Sequence, residues 1–88
     1  MADSLPLLLV RARGGQSVDA LAERAGIAPN SIRNAEAGKL VRENTLRAIL
    51  RAAKPTADLR TEILAEFDRL RAERNVRRAM ARNAKEGA

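Results

Sequence analysis

The chain has 88 residues and a formal net charge of +6, with neither cysteine nor histidine. Disulfide frameworks, thiolate metal sites and histidine-based metal or acid–base chemistry are therefore excluded, and the length holds one small domain with an appended helix. Phe67 is the sole aromatic residue, which argues against single-strand and RNA binders that stack bases on aromatic side chains.

No run approaches the roughly 18 apolar residues of a membrane span. The apolar run Leu5 to Val10 is too short for a signal peptide, and its basic residues follow it instead of preceding it. A cytoplasmic, soluble chain without a membrane partner is the expectation. Charge is spread unevenly. Met1 to Lys54 carries nine basic and five acidic residues, and Pro55 to Ala88 carries eight and six. A basic surplus attracts phosphates without regard to sequence, and salt weakens the attraction.

In chain order the reading is all-α. Ser4 is placed to cap a first helix, Leu5 to about Arg13, with Pro6 in the first turn where its missing N–H costs nothing. Gly14 and Gly15 stop it. Ser17 caps the second helix, with Asp19 near the positive end of its dipole. Leu21, Ala22 and Ala25 form its apolar stripe, and Gly26 ends it. Pro29 opens the third helix, which turns Ile32, Ala35 and Glu36 inward and closes at Gly38. A fourth begins at Glu43 or Asn44, with Leu46, Ile49, Leu50 and Ala53 at helical spacing. Lys54-Pro55-Thr56 breaks the chain. A fifth helix then runs from Thr56 or Ala57 to beyond Arg78, and Asn83 to Ala88 is expected to fray. No alternating β-branched run suggests a strand. Three segments follow: a domain over 1–54, a packing or dimerising helix over 55–82, and a disordered tail over 83–88.

The second and third helices are short, and a glycine turn joins them. This spacing is that of a helix-turn-helix, whose second helix enters the DNA major groove. The series Leu21-Ala22-x-x-Ala25-Gly26-Ile27, then Ser31-Ile32-x-x-x-Glu36-x-Gly38-Lys39, resembles the Cro and lambda-repressor (XRE-type) family. Arg11, Ser17, Thr45 and Leu46 extend the match, which spans about Leu7 to Ala53. The segment after Pro55 resembles no family.

The resemblance implies a lambda-repressor-like domain of four short helices, here followed by a long fifth. It implies that the start of the third helix reads base edges, through Pro29, Asn30, Arg33 and Asn34. The chemistry agrees. Asparagine pairs bidentately with adenine and arginine with guanine, and Asn30 and Asn34 share a face at i and i+4. Phosphate contacts are expected from Ser17 and from Lys39, Arg42 and Asn44 around the turn between helices three and four, where free N–H groups favour anions. Two positions depart from the family. Val18 stands where a phosphate-binding glutamine is common, and Pro29 offers base edges only an apolar contact, so affinity per monomer is not expected to be high.

Glu36 lies on the inner face of the third helix, where an unpaired carboxylate is costly. The resemblance supplies a partner in the first helix, and Arg11 occupies the matching position. An Arg11–Glu36 ion pair with a structural role is the expectation.

In the fifth helix, Leu59, Ile63, Phe67 and Leu70 form a narrow apolar stripe suited to packing on the domain. A shallower stripe of Ala65, Ala72, Val76, Ala79 and Met80 lies on another face. It serves either core packing or dimerisation, and the pattern leaves both open. The first helix is apolar nearly all round, so the fifth helix of the same chain or of a partner must cover it. The basic segment Arg74 to Arg82 suits flanking DNA or an acidic partner equally.

The function expected is a sequence-specific double-stranded DNA-binding regulator, a small dimeric repressor of phage or antitoxin type on an inverted-repeat operator. The alternative is an antitoxin or adaptor whose C-terminal helix binds a protein partner. An enzyme is rejected. No His, Cys or Tyr is present, no glycine-rich phosphate loop occurs, and no cofactor or metal is called for.

Overall fold

Two devices recur at the ends of the short helices: a proline or an acceptor side chain at the start of the first three, and a positive-φ residue at or just past the end of all four. The computed structural model describes residues 4–86, with side chains described through residue 82. Among these residues it is all-helical: α1 (Leu5–Arg13), α2 (Val18–Ala25), α3 (Pro29–Glu36), α4 (Glu43–Ala53) and α5 (Ala57–Glu86).

Ser17 holds α2 open at its start, its hydroxyl oxygen accepting from the Ala20 N–H at 3.0 Å. At Ser4 the side chain makes no such cap, and Pro6 serves α1 instead. Gly26 and Gly38 take φ of 70° and 94°, values that side-chain-bearing residues adopt only with strain. At each, two backbone bonds close the helix. Ile27 N–H donates to the Ala22 carbonyl at 3.1 Å and Gly26 N–H to that of Glu23 at 3.3 Å; Lys39 N–H donates to Asn34 at 3.0 Å and Gly38 N–H to Ala35 at 3.2 Å. Lys54 ends α4 at φ 51°. The proline that follows disfavours the right-handed helical region for Lys54, and the left-handed conformation costs about 1 kcal/mol. Thr56 then starts α5, its Oγ1 accepting from Leu59 N–H at 3.3 Å.

α1 packs against α3, α4 and α5, while α2 packs against α3 and α4. The core is Leu5, Leu8, Leu9 and Ala12 of α1, Leu21 and Ala22 of α2, Ile32 and Ala35 of α3, Leu46, Ile49 and Leu50 of α4, and Ile63 and Phe67 of α5. Each buried large side chain contributes roughly 1.5–3 kcal/mol. Ala25 and Ala53, at the ends of their stripes, are half-buried.

The cover for α1 comes from the same chain. Ile63 and Phe67 are buried, with Leu59 and Leu70 packed at the edge of the core. The cover is incomplete, because Leu7 and Val10 remain 48% and 40% exposed. Beyond Leu70 every described side chain of α5 is exposed, Val76 and Met80 included. The helix nevertheless continues to Glu86, into the stretch 83–88 expected to fray. Ala84, Lys85 and Glu86 are good helix formers, and no glycine intervenes before Gly87. At about 1.5 Å per residue, the 30 residues of α5 span roughly 45 Å of a molecule 51 Å long. No described helix is long and apolar enough to cross a membrane.

Candidate nucleic-acid interface

The two faces of α3 differ sharply in chemistry. Ile32 and Ala35 are buried against the core, and Asn30, Arg33 and Asn34 are exposed on the opposite side. Pro29, at the first helical position, is half-buried. All four residues expected to read bases therefore lie on one short helix, with the three polar ones turned to solvent.

Arg33 is held in place before any ligand arrives. Its Nη1 donates to Asn30 Oδ1 at 3.3 Å, and its Nη2 lies 3.5 Å from Asp19 Oδ1 in the first turn of α2. Both members of the Arg33–Asp19 pair are more than half exposed. Such a pair is worth under about 1 kcal/mol and can be exchanged for another acceptor. The Asn34 side chain makes no hydrogen bond with the described residues, which leaves its amide donor and carbonyl acceptor open. Asp19 was legible in the sequence only as a helix-dipole residue. That it also orients Arg33 depends on how α2 lies against α3.

The structural ion pair requires a correction: Glu36 is engaged by Arg13, not by Arg11. Arg13 Nε donates to Oε1 and Oε2 of Glu36 at 3.2 and 3.1 Å, and Nη2 donates to Oε1 at 3.0 Å. Arg13 Nη1 also donates to the Gln16 backbone carbonyl at 2.8 Å. One guanidinium thus ties the end of α1, the α1–α2 connection and α3 together. The pair is mostly withdrawn from water, at 23% and 13% exposure. The reason is helical phase. Arg13 continues the row Leu5–Leu9 at four-residue spacing and reaches the edge of the core. Arg11 sits on the other flank of the buried stripe and is exposed. Gln16 is fixed in turn, its Oε1 accepting from Arg24 Nη1 at 3.0 Å.

The residues expected at phosphates are all exposed: Ser17, Lys39, Arg42 and Asn44. Ser17 Oγ already accepts one bond, but its hydroxyl proton remains available to donate. The backbone bond from Lys39 to Asn34 fixes the α3–α4 turn to the end of α3. Arg42 is the capping residue of α4 and makes no side-chain cap, and Asn44 lies in the first turn. The N–H groups there keep their capacity for an anion.

Glu43 sits among these cations and opposes an anion, but its charge is already matched. Oε1 accepts from Arg47 Nη2 at 3.2 Å, and Oε2 lies 3.6 Å from Arg71 Nη1 of α5. Arg71 also lies 5.5 Å from the centre of the Phe67 ring. No protein-family model, curated protein or solved structure matches the chain.

Proposed function

We propose that this chain is a sequence-specific double-stranded DNA-binding regulator of the Cro and lambda-repressor-like helix-turn-helix type, acting in the cytoplasm as a homodimeric repressor on an inverted-repeat operator. One observation carries the reading. The outer face of α3 presents Asn30, Arg33 and Asn34 together in solvent, while its inner face is locked to the core by Ile32, Ala35 and the Arg13–Glu36 pair. A rigid helix with adenine- and guanine-pairing side chains on its free face is what major-groove readout requires. Lys39, Arg42 and Asn44 beside it supply positioning contacts that carry no sequence information. The exposed Val76 and Met80 of α5, with Leu7 and Val10 of α1, offer apolar surface for a second copy. Twofold dimers then read half-sites about 34 Å apart.

The test is selection from a randomised duplex library at two salt concentrations, with Arg33→Ala and Asn34→Ala alongside. An inverted repeat with half-sites one turn apart is expected. Each substitution is expected to weaken binding by about 1–3 kcal/mol and to relax the preference at its own base pair. Binding without sequence preference, indifferent to both substitutions, would remove the operator-reading role and favour a protein partner on the C-terminal helix.

A further inference from the structure

We propose that Arg74 and Arg78, with Arg77 beside them, form a second phosphate-binding track on α5 that grips DNA flanking the bases read by α3; this rests on the DNA-binding reading above. The structure brings the distal half of α5 alongside the α3–α4 turn. On one side lies a depression of about 460 Å³ with Lys39, Arg74, Arg77 and Arg78 in its wall and Leu40 and Leu70 in its floor. On the other lies a depression of about 230 Å³ shared by Arg42, Arg74 and Arg78. Arg74 and Arg78 line both, so they stand beside the turn that carries Lys39 and Arg42.

Charge and position together define this cluster. Arg13, Arg33, Arg47, Arg69 and Arg71 all have carboxylate partners. Lys39, Arg42, Arg74, Arg77 and Arg78 have none among the described residues. Arg24, Arg51, Lys54, Arg60 and Arg82 also lack a carboxylate partner among the described residues, but none of them lines either depression. No carboxylate lines the larger depression, and Glu43 in the smaller one is already engaged by Arg47 and Arg71. The apolar floor gives the arginine stems a surface to lie on while the residues stay exposed. Five unmatched cations on two elements, continuous with the turn proposed to meet phosphates, fit a polyanion whose charge repeats along its length. Guanidinium groups bind phosphate oxygens bidentately.

The experiment compares the full chain with the double variant R74Q/R78Q and with R51Q/R60Q. The control removes the same charge from exposed positions that line neither depression. Glutamine keeps helix propensity, and far-ultraviolet circular dichroism checks that α5 persists. Binding to the duplex recovered from the library, and to one of unrelated sequence, is titrated between about 50 and 200 mM salt. Each phosphate contact contributes roughly 0.9 to the slope of log affinity against log salt. The slope is expected to fall by about 1.8 in R74Q/R78Q, so that the unaltered chain loses about twelvefold more affinity across that range, while R51Q/R60Q keeps the original slope.

Equal slopes for both variants, with DNA still bound, would overturn this inference alone. Failure of the unaltered chain to bind either duplex would overturn the DNA reading and this inference with it. Poly-glutamate bound by the unaltered chain and released by R74Q/R78Q, with the DNA slope unchanged, would assign the surface to an acidic protein partner and overturn the inference.

Discussion

α5 is one continuous helix in two environments. Its first half buries Ile63 and Phe67 against the domain and packs Leu59 and Leu70 at the edge. Its second half, from Arg71 onward, exposes every described side chain. The first half is helical because tertiary packing rewards an amphipathic stripe. The second half is sustained by local terms: alanine-rich composition and arginine, with the pairs Arg69–Glu73 and Arg71–Asp68 joining it to the first half one turn back. A helix can thus carry chemistry beyond the core that anchors it, and its free half is where unmatched charge and exposed apolar residues accumulate.

The comparison breaks most visibly at Phe67. Phe67→Ala is expected to cost about 3–5 kcal/mol in denaturant unfolding, because it leaves a cavity at the junction of α5 with the core. Val76→Ala and Met80→Ala, at low protein concentration, are expected to move the same measurement by no more than about 0.5 kcal/mol. Equal costs at the two ends would mean that the distal half is folded against something in the monomer.

A smaller effect is expected at the Arg13–Glu36 pair, which ties α3 to the end of α1. Glu36→Ala leaves a mostly buried guanidinium without its carboxylate, and a loss of about 2 kcal/mol is expected. A double-mutant cycle with Arg13→Ala is expected to show clear coupling. A loss well below 1 kcal/mol would mean that the pair is solvated and that α3 is held by Ile32 and Ala35 alone.

The smallest effect sharpens the local account of α5. The hydrogen bond from Arg69 holds the Glu66 carboxyl below its ordinary value of about 4.5, and Glu66, with Glu73, raises the Arg69 guanidinium. Glu66 is therefore more acidic folded than unfolded. Its contribution is complete above the unfolded value and is lost as pH falls through the lower folded value. Thermal midpoints of the chain and of Arg69→Gln, compared from neutral pH into the acid range, are expected to converge as Glu66 protonates. A constant difference at all pH values would show that Arg69 acts by packing and not by charge.

The helix boundaries were largely legible in the sequence. Pro29, Gly26, Gly38 and the Lys54-Pro55 break act through backbone torsions that neighbours scarcely alter. The inward stripes Leu21-Ala22, Ile32-Ala35 and Leu46-Ile49-Leu50 follow from a helical period that is itself local, as does the free face of Asn30, Arg33 and Asn34. The partner of Glu36 was not legible. Arg11 and Arg13 are chemically identical, and only the phase of α1 against α3 chose Arg13. The same holds for Asp19 with Arg33, and for Glu43 with Arg71 across α4 and α5.

By itself, then, the sequence determined the number and order of the helices, the ends of the four short ones and the polar residues on the free face of α3, because torsion preferences, capping and a 3.6-residue period act over a few residues. The tertiary structure alone decided which arginine engages Glu36. It supplied the cover for α1 from the same chain while leaving Leu7 and Val10 outside it, and it set Arg74 and Arg78 beside the α3–α4 turn. These outcomes depend on distances between segments 20 or more residues apart in the chain, which the packing of α1 against α3 and α5 fixes and no local pattern encodes.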